Sequence, residues 1–338
     1  MRFYQAIVVL LLLANIAQAH VPLFPEGNEN ISSAMPISDP GKSWAIYSTI
    51  GPEKPQYYSF YVDEGKEIQL ALLKTANPRE KGFEPGMALF GPGLNSTGPL
   101  PGYVEIPRGY GAIAVKINGS DQAAYEPFGP SSYCQLSDFN MTAPKSGTYY
   151  VAVYSDGSSA GNASSNMSSM SGHYSLAIGY REEFTFAERI LTPLRLISVY
   201  QWEGQSLFII LMPMLLAFLI GLLTIWRSNI STLFYRTGTL AGFLILGTSA
   251  TVLSQMAFSL TRAPAGSEVA ITVLLAIIPA VLGVLSLRLS RGEAGILQRV
   301  VIAVVGTIAL LAGSGLIAGP LLAIAASMLP SRRENLRI

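Results

Sequence analysis

The feature that most constrains this chain is a set of apolar runs in its C-terminal half. Residues 206–226, 237–260 and 268–287 are three such runs with no charge in their interiors, and residues 300–329 form a longer fourth run interrupted by GSGLIAGP. A helix of about twenty apolar residues covers the hydrocarbon core of a bilayer, and the core offers no hydrogen-bonding partners, so an open backbone cannot cross it. The expectation is a transmembrane helical domain of four spans over 206–329, followed by an Arg-rich tail, 330–338.

Charge divides the chain at the same place. Residues 20–183 hold 10 Lys+Arg against 16 Asp+Glu, a net of −6, whereas residues 184–338 hold 11 Arg, no Lys and 5 acids, a net of +6. The arginines fall between the runs: Arg227 and Arg236 after the first, Arg288, Arg291 and Arg299 after the third, and only Arg262 with Glu268 after the second. Positive loops stay inside, so the N-terminal part is expected outside, in a multi-pass protein of the cell membrane. Four crossings would leave Arg332, Arg333 and Arg337 outside, against that rule; a re-entrant last segment would return them inside. The spans carry no ionisable group, only Gln255 and scattered Ser and Thr, which argues against ion coupling and intramembrane metalloproteolysis. Gly238-x-x-x-Gly242 and Gly315-x-x-x-Gly319 permit close helix approach, within the bundle first, or in a homo-oligomer or with a partner membrane protein.

Residues 1–19 combine Arg2, the run AIVVLLLLA and the site Ala17-Gln18-Ala19, and read as a signal peptide whose removal leaves His20 first. Residues 20–182 read as β structure. YYSFYVDEGKEIQLALL puts Tyr58, Phe60 and Val62 on one face, turns at Asp63-Glu64-Gly65, and puts Ile68, Leu70 and Leu72 on one face again: a hairpin with one side in a core. SGTYYVAVYS and GHYSLAIGY alternate likewise, Pro/Gly punctuation lies between, and no helical period is sustained. Strands of this kind fit one extracellular β-sandwich or jelly roll. Cys134 is the only cysteine, so the domain holds no internal disulfide, and a buried thiol is expected. Residues 183–205 mix Arg189 and Arg195 with Tyr200 and Trp202, as an interfacial linker helix does at the headgroup layer.

The order YYSFYVDEGKEIQLAL, APKSGTYYVAVYS, a Gly/Ser-rich loop and SGHYSLAIGY resembles the bacterial pre-peptidase C-terminal domain, a jelly-roll module, over about residues 40 to 180. The middle segment FEPGMALFGPG lacks the acidic repeat of that family. The resemblance implies an accessory module without catalytic residues, serving binding or folding. HVPLFP also resembles the opening of an uncharacterised archaeal membrane-protein family. Six of the eight asparagines in 20–182 lie in sequons: Asn30, Asn95, Asn118, Asn140, Asn162 and Asn166. Together with the signal peptide they imply a glycoprotein.

Sites are fewer. A free amino-terminal His20 offers its amine and ring nitrogen, and His173, the only other histidine, would complete a three-nitrogen Cu(II) site. In this the chain resembles secreted copper carriers that begin at a cut before histidine. No histidine stands near a G-x-S-x-G turn, so no hydrolase triad is expected. Tyr125, Phe128 and Tyr133 in AYEPFGPSSYC form a possible ligand patch. The acidic outer half gives no reason to expect nucleic acid. The expectation is a non-catalytic surface binding or assembly protein, in contact with membrane lipid and recognising a protein or glycan. Copper delivery through His20 and His173, and an accessory role to a channel or transporter, are the alternatives.

Overall fold

The computed structural model describes residues 20–118, 122–155, 171–230, 232–292 and 294–331. The signal-peptide segment 1–19, Asn162, Asn166 and the tail from 332 lie outside the described residues. A β-rich region comes first and helices follow, three of them long and apolar enough to cross a membrane.

The β region has eleven described strands in two sheets. The first sheet has the order β1 (Val21–Leu23), β3 (Trp44–Ile50), β11 (Gly172–Ile178), β5 (Glu67–Thr75), β9 (Ser131–Thr142) and β8 (Ala124–Glu126). The second runs β2 (Met35–Pro36), β4 (Gln56–Val62), β10 (Gly147–Ser155), β6 (Pro85–Gly91) and β7 (Gly111–Val115). One apolar core takes residues from both: Ile46, Leu70, Leu72 and Leu176 from the first, Tyr58, Phe60, Met87 and Val151 from the second. The alternation in the sequence therefore picks out residues of this core, although the other face of the second sheet is covered too, with Tyr57, Ala88, Phe90, Ala152 and Tyr154 in a second apolar cluster. Within that core the hydroxyls of Tyr58 and Tyr174 bond each other at 2.5 Å, which pairs polar atoms that burial would otherwise strand. Cys134 is buried on β9.

One expectation fails. The strands on either side of Asp63-Glu64-Gly65 do not form a hairpin, because β4 pairs with β10 and β2 while β5 pairs with β11 and β9. The turn, with Gly65 at φ +79°, carries the chain from one sheet to the other. A hairpin would set the two apolar triplets side by side on one sheet; crossing over lets Tyr58, Phe60 and Val62 share a core with Ile68, Leu70 and Leu72, and all six are buried.

The linker forms helix α1 (Phe186–Trp202), begun by a capping box in which Thr185 and Glu188 satisfy each other's backbone amides. Glu188 also holds Lys42 Nζ at 2.6 Å, which ties the start of α1 to the first sheet. Three apolar helices follow, α2 (Leu207–Arg227), α3 (Leu233–Ser259) and α4 (Val269–Leu289). The first two are capped by Ser206 and Thr232. The outward faces of the three carry Phe208, Leu219 and Trp226 on α2, Leu253 on α3 and Leu274 and Ile277 on α4, all exposed. In water such a surface would be a liability, and in a bilayer it is the ordinary solvent face.

α3 is central. A Cβ on Gly242 would lie 2.7 Å from Leu287 and 3.0 Å from the Gly283 carbonyl of α4, and one on Gly238 would lie 2.1 Å from Ser290 Oγ. Both glycines are therefore spent inside the bundle, and the Gly238 carbonyl accepts from Ser286 Oγ at 3.1 Å. Gly242→Leu should cost about 1–3 kcal/mol by overpacking. Titration of the solubilised chain with sodium dodecyl sulfate should unfold its helices at a lower detergent fraction, and an unchanged midpoint would contradict this packing.

The fourth run is not one helix. It divides into α5 (Ile296–Leu311) and α6 (Ala318–Met328), and between them Gly313, Gly315, Leu316 and Ile317 all take positive φ. The last two do so without glycine's freedom, a strained break. The pieces run antiparallel: a Cβ on Gly306 would meet the Pro320 carbonyl and Ile324, while Arg299 donates to the Ser327 and Leu329 carbonyls at 2.8 Å each. Gly315 therefore sits in the break rather than on a helix face, and a Cβ on Gly319 would lie 3.1 Å from Leu244 of α3. The hairpin returns the chain to the end at which α3 begins, where Phe234 donates to the Pro330 carbonyl at 3.3 Å.

Candidate functional site

The β region and the helices meet along the outer face of the first sheet. Trp202, the last residue of α1, donates from Nε1 to the Ser48 and Tyr174 carbonyls at 3.1 Å each, and its ring meets Tyr47 and His173 edge-on, with centroids 5.0 and 6.2 Å apart. On the other side of the junction Tyr125 bonds Thr272 Oγ1 of α4 at 2.6 Å, and Thr272 donates to the Pro127 carbonyl. An aromatic bracket thus seats β3, β11 and β8 on the helices.

Between the two contacts lies Glu203, with no exposed surface. Its Oε1 accepts from the Ser132 amide at 2.7 Å and its Oε2 from Gln205 Nε2 at 3.2 Å; Gln205 donates in turn to Gln255 Oε1 at 2.7 Å. Arg262 binds the Glu203 carbonyl at 2.8 Å. Burial raises the carboxyl from the ordinary 4.5 to about 7, against the lowering effect of these donors and of Arg262. Gln205 Oε1 is buried with no partner. Ser132 and Gln255, 123 positions apart in sequence, are joined through this carboxyl. The sequence marks Gln255 as the lone amide in a span, and WEGQS places an acid against an apolar run; nothing in either says that they meet.

Two cavities open at the same junction. The first, about 190 Å³, lies under α1 and is walled by Met214 of α2, Thr251 of α3, Leu275 and Pro279 of α4 and Ser314 of the break. The second, about 280 Å³, lies on the outer face of the first sheet against Gln69, Tyr133, Gln135, Asp138, Ser175 and Trp202. His20, Tyr47, Glu126 and Ser131 line both. Glu126 sits on the edge strand β8 and accepts the Phe128 amide at 3.1 Å; burial raises its pKa above the ordinary value, the Phe128 bond opposing. His20 precedes β1 and its Nδ1 pairs with Ser43 Oγ at 2.5 Å. Desolvation of its ring lowers the imidazole pKa, against the raising effect of Glu182, although part of the residue remains open to solvent.

The residues singled out in the sequence are dispersed. His20 stands at Ser43, the residue before β3, whereas His173 pairs with Thr49, six positions further along the chain. At about 3.3 Å per residue the two backbone positions are roughly 20 Å apart along the sheet, and each ring is turned to its own partner. His173 instead gives its ring Nδ1 to Glu80 at 2.5 Å and its amide to the same carboxylate at 2.8 Å. The two-histidine copper geometry is therefore not formed. Tyr125 is buried against α4, while Phe128 lines the first cavity and Tyr133 the second. Asn30, Asn95, Asn118 and Asn140 are all exposed. No family model matches the chain, and a search of curated proteins finds no similar sequence.

Proposed function

We propose that this chain is a membrane-anchored surface protein that acts by binding rather than catalysis, with its two sheets forming an extracellular β-sandwich of the pre-peptidase C-terminal kind. The observation that carries the reading is the pair of cavities sharing His20, Tyr47, Glu126 and Ser131. One half of this pocket is built on a sheet and the other among apolar helices, so it suits an occupant that is itself half polar and half apolar. The binding surface is thus moved from the exterior of the sandwich to its junction with the membrane.

The arginines support the orientation. Arg227, Arg236, Arg288, Arg291 and Arg299 belong to the end of the helices remote from the sheets, whereas Arg262 and Glu268 belong to the near end. With α5 and α6 as a re-entrant pair, three crossings suffice and the tail joins the arginine-rich side, which removes the disagreement that four crossings create. Exposure of four sequons is consistent with a glycosylated outer face, and the signal-peptide reading places the new terminus, His20, at the mouth of the pocket.

The test is retention. Native mass spectrometry of the full chain released from its expression membranes should find one small amphiphile per chain, and Leu275→Trp, which fills the first cavity, should lose it by tenfold or more. Equal occupancy in both proteins would contradict the reading.

A further inference from the structure

The proposal above leaves open what the pocket holds, and the chemistry of its lining narrows this. We infer that the occupant is a neutral glycolipid, a hydrocarbon chain carrying a sugar head, with the chain in the first cavity and the sugar in the second. The inference rests on the reading of the junction as a binding site and names its ligand class.

The first cavity supplies the chain's surroundings. Met214, Leu275, Ile278 and Pro279 are side chains of membrane-facing helices, and the threonine hydroxyls among them are spent on backbone. Thr251 Oγ1 donates to the Gly247 carbonyl at 2.9 Å, and Thr248 Oγ1 accepts from Gly315 at 2.6 Å. The part of the wall formed by Met214, Leu275, Ile278 and Pro279 offers an incoming group dispersion and exclusion of water.

The second cavity is of another kind. Trp202, Tyr47 and Tyr133 present aromatic surface, and Gln69, Gln135, Asp138 and Ser175 present amide, carboxylate and hydroxyl groups. Carboxylate and amide side chains take paired hydrogen bonds from neighbouring hydroxyls, and aromatic faces suit the apolar face of a sugar ring.

Charge disfavours the common alternative. Among the described residues no Lys or Arg lines either cavity, while Glu126 lines both and Asp138 the second. His20 is held toward its neutral form by desolvation. A phosphate head would enter beside two carboxylates, with the amine of the new terminus at His20 as the one cation against them, so the charge it meets stays net negative and disfavours it. A polyhydroxylated head carries no charge and donates to those carboxylates.

The full chain, purified in a polyoxyethylene detergent, is to be titrated with dodecyl maltoside, dodecyl phosphocholine and free maltose under native mass spectrometry. Dodecyl maltoside should bind one per chain, at least tenfold more tightly than dodecyl phosphocholine or maltose. Gln135→Ala on the sheet and Thr251→Phe in the bundle should each weaken it by about tenfold. Equal uptake of both amphiphiles, lost in Thr251→Phe, would keep the site and overturn the sugar head. Maltose binding as tightly as its alkyl form would overturn the role of the chain. Uptake of neither amphiphile would overturn both the ligand and the binding reading on which it rests.

Discussion

At pH 8 the Glu203→Gln variant should unfold at a higher temperature than the natural chain, and the difference should close as the pH falls. Glu203 has no exposed surface and titrates near 7 rather than 4.5. The folded protein therefore holds a proton that the unfolded chain has already released, and stability falls as pH rises from about 4.5 to about 7, then levels. At about 1.4 kcal/mol for each tenfold change in proton affinity, ionised Glu203 costs about 3 kcal/mol at pH 8. Glutamine keeps the acceptor for the Ser132 amide and carries no charge. A turn of the Gln205 amide together with that of Gln255 would let Gln205 Oε1 accept from both neighbouring amides, so the chain Ser132, Glu203, Gln205, Gln255 stays closed in the variant. Thermal melts at pH 8, 6 and 4.5 check this. Parallel melting of both proteins across the range would show that the carboxyl is not buried as described.

Trp202→Ala should have the larger cost, about 3–5 kcal/mol, the range for truncating a buried aromatic side chain. The ring lies between Tyr47 and His173 and its Nε1 satisfies two strand carbonyls. Truncation removes the packing and leaves Ser48 and Tyr174 facing an enlarged second cavity. Trp202→Phe keeps most of the packing and loses the donor, so its cost should be about 1–2 kcal/mol. Because Trp202 ends α1 where the chain enters the bundle, the loss should appear as separation of the β region from the helices. Limited proteolysis should cut between 183 and 205 much faster in Trp202→Ala than in the natural chain. An unchanged rate would mean that the bracket does not hold the two parts together.

Much of this architecture is legible in the sequence where one period decides one face. Tyr58, Phe60 and Val62 recur at every second position, which sets them on one face of a strand and marks that face as apolar. Their partners are not legible, because a hairpin and a crossing between sheets bury the same residues, and only the competition among the strands selects one. The apolar runs give their own lengths, yet GSGLIAGP shows only that something interrupts the last of them. The antiparallel return depends on Gly306 and Gly319 accepting close neighbours, which spacing does not reveal. Chemistry is legible least. His20 and His173 attract attention as the chain's two histidines, yet register sets them at different ends of one strand. Glu203 attracts little, since the sequence states its type and not its burial. Glu126 and Gln135 look like any surface acid and amide until the helices are laid against the sheet.

The most direct test of the central claim is a density map of the full chain from crystals grown in a lipid mesophase. The account predicts elongated density that begins beside Leu275 and Pro279, passes Glu126 and ends beside Trp202 and Gln135. Cavities closed by side chains or filled with water alone, with the β region lifted from α4 at Tyr125, would contradict it.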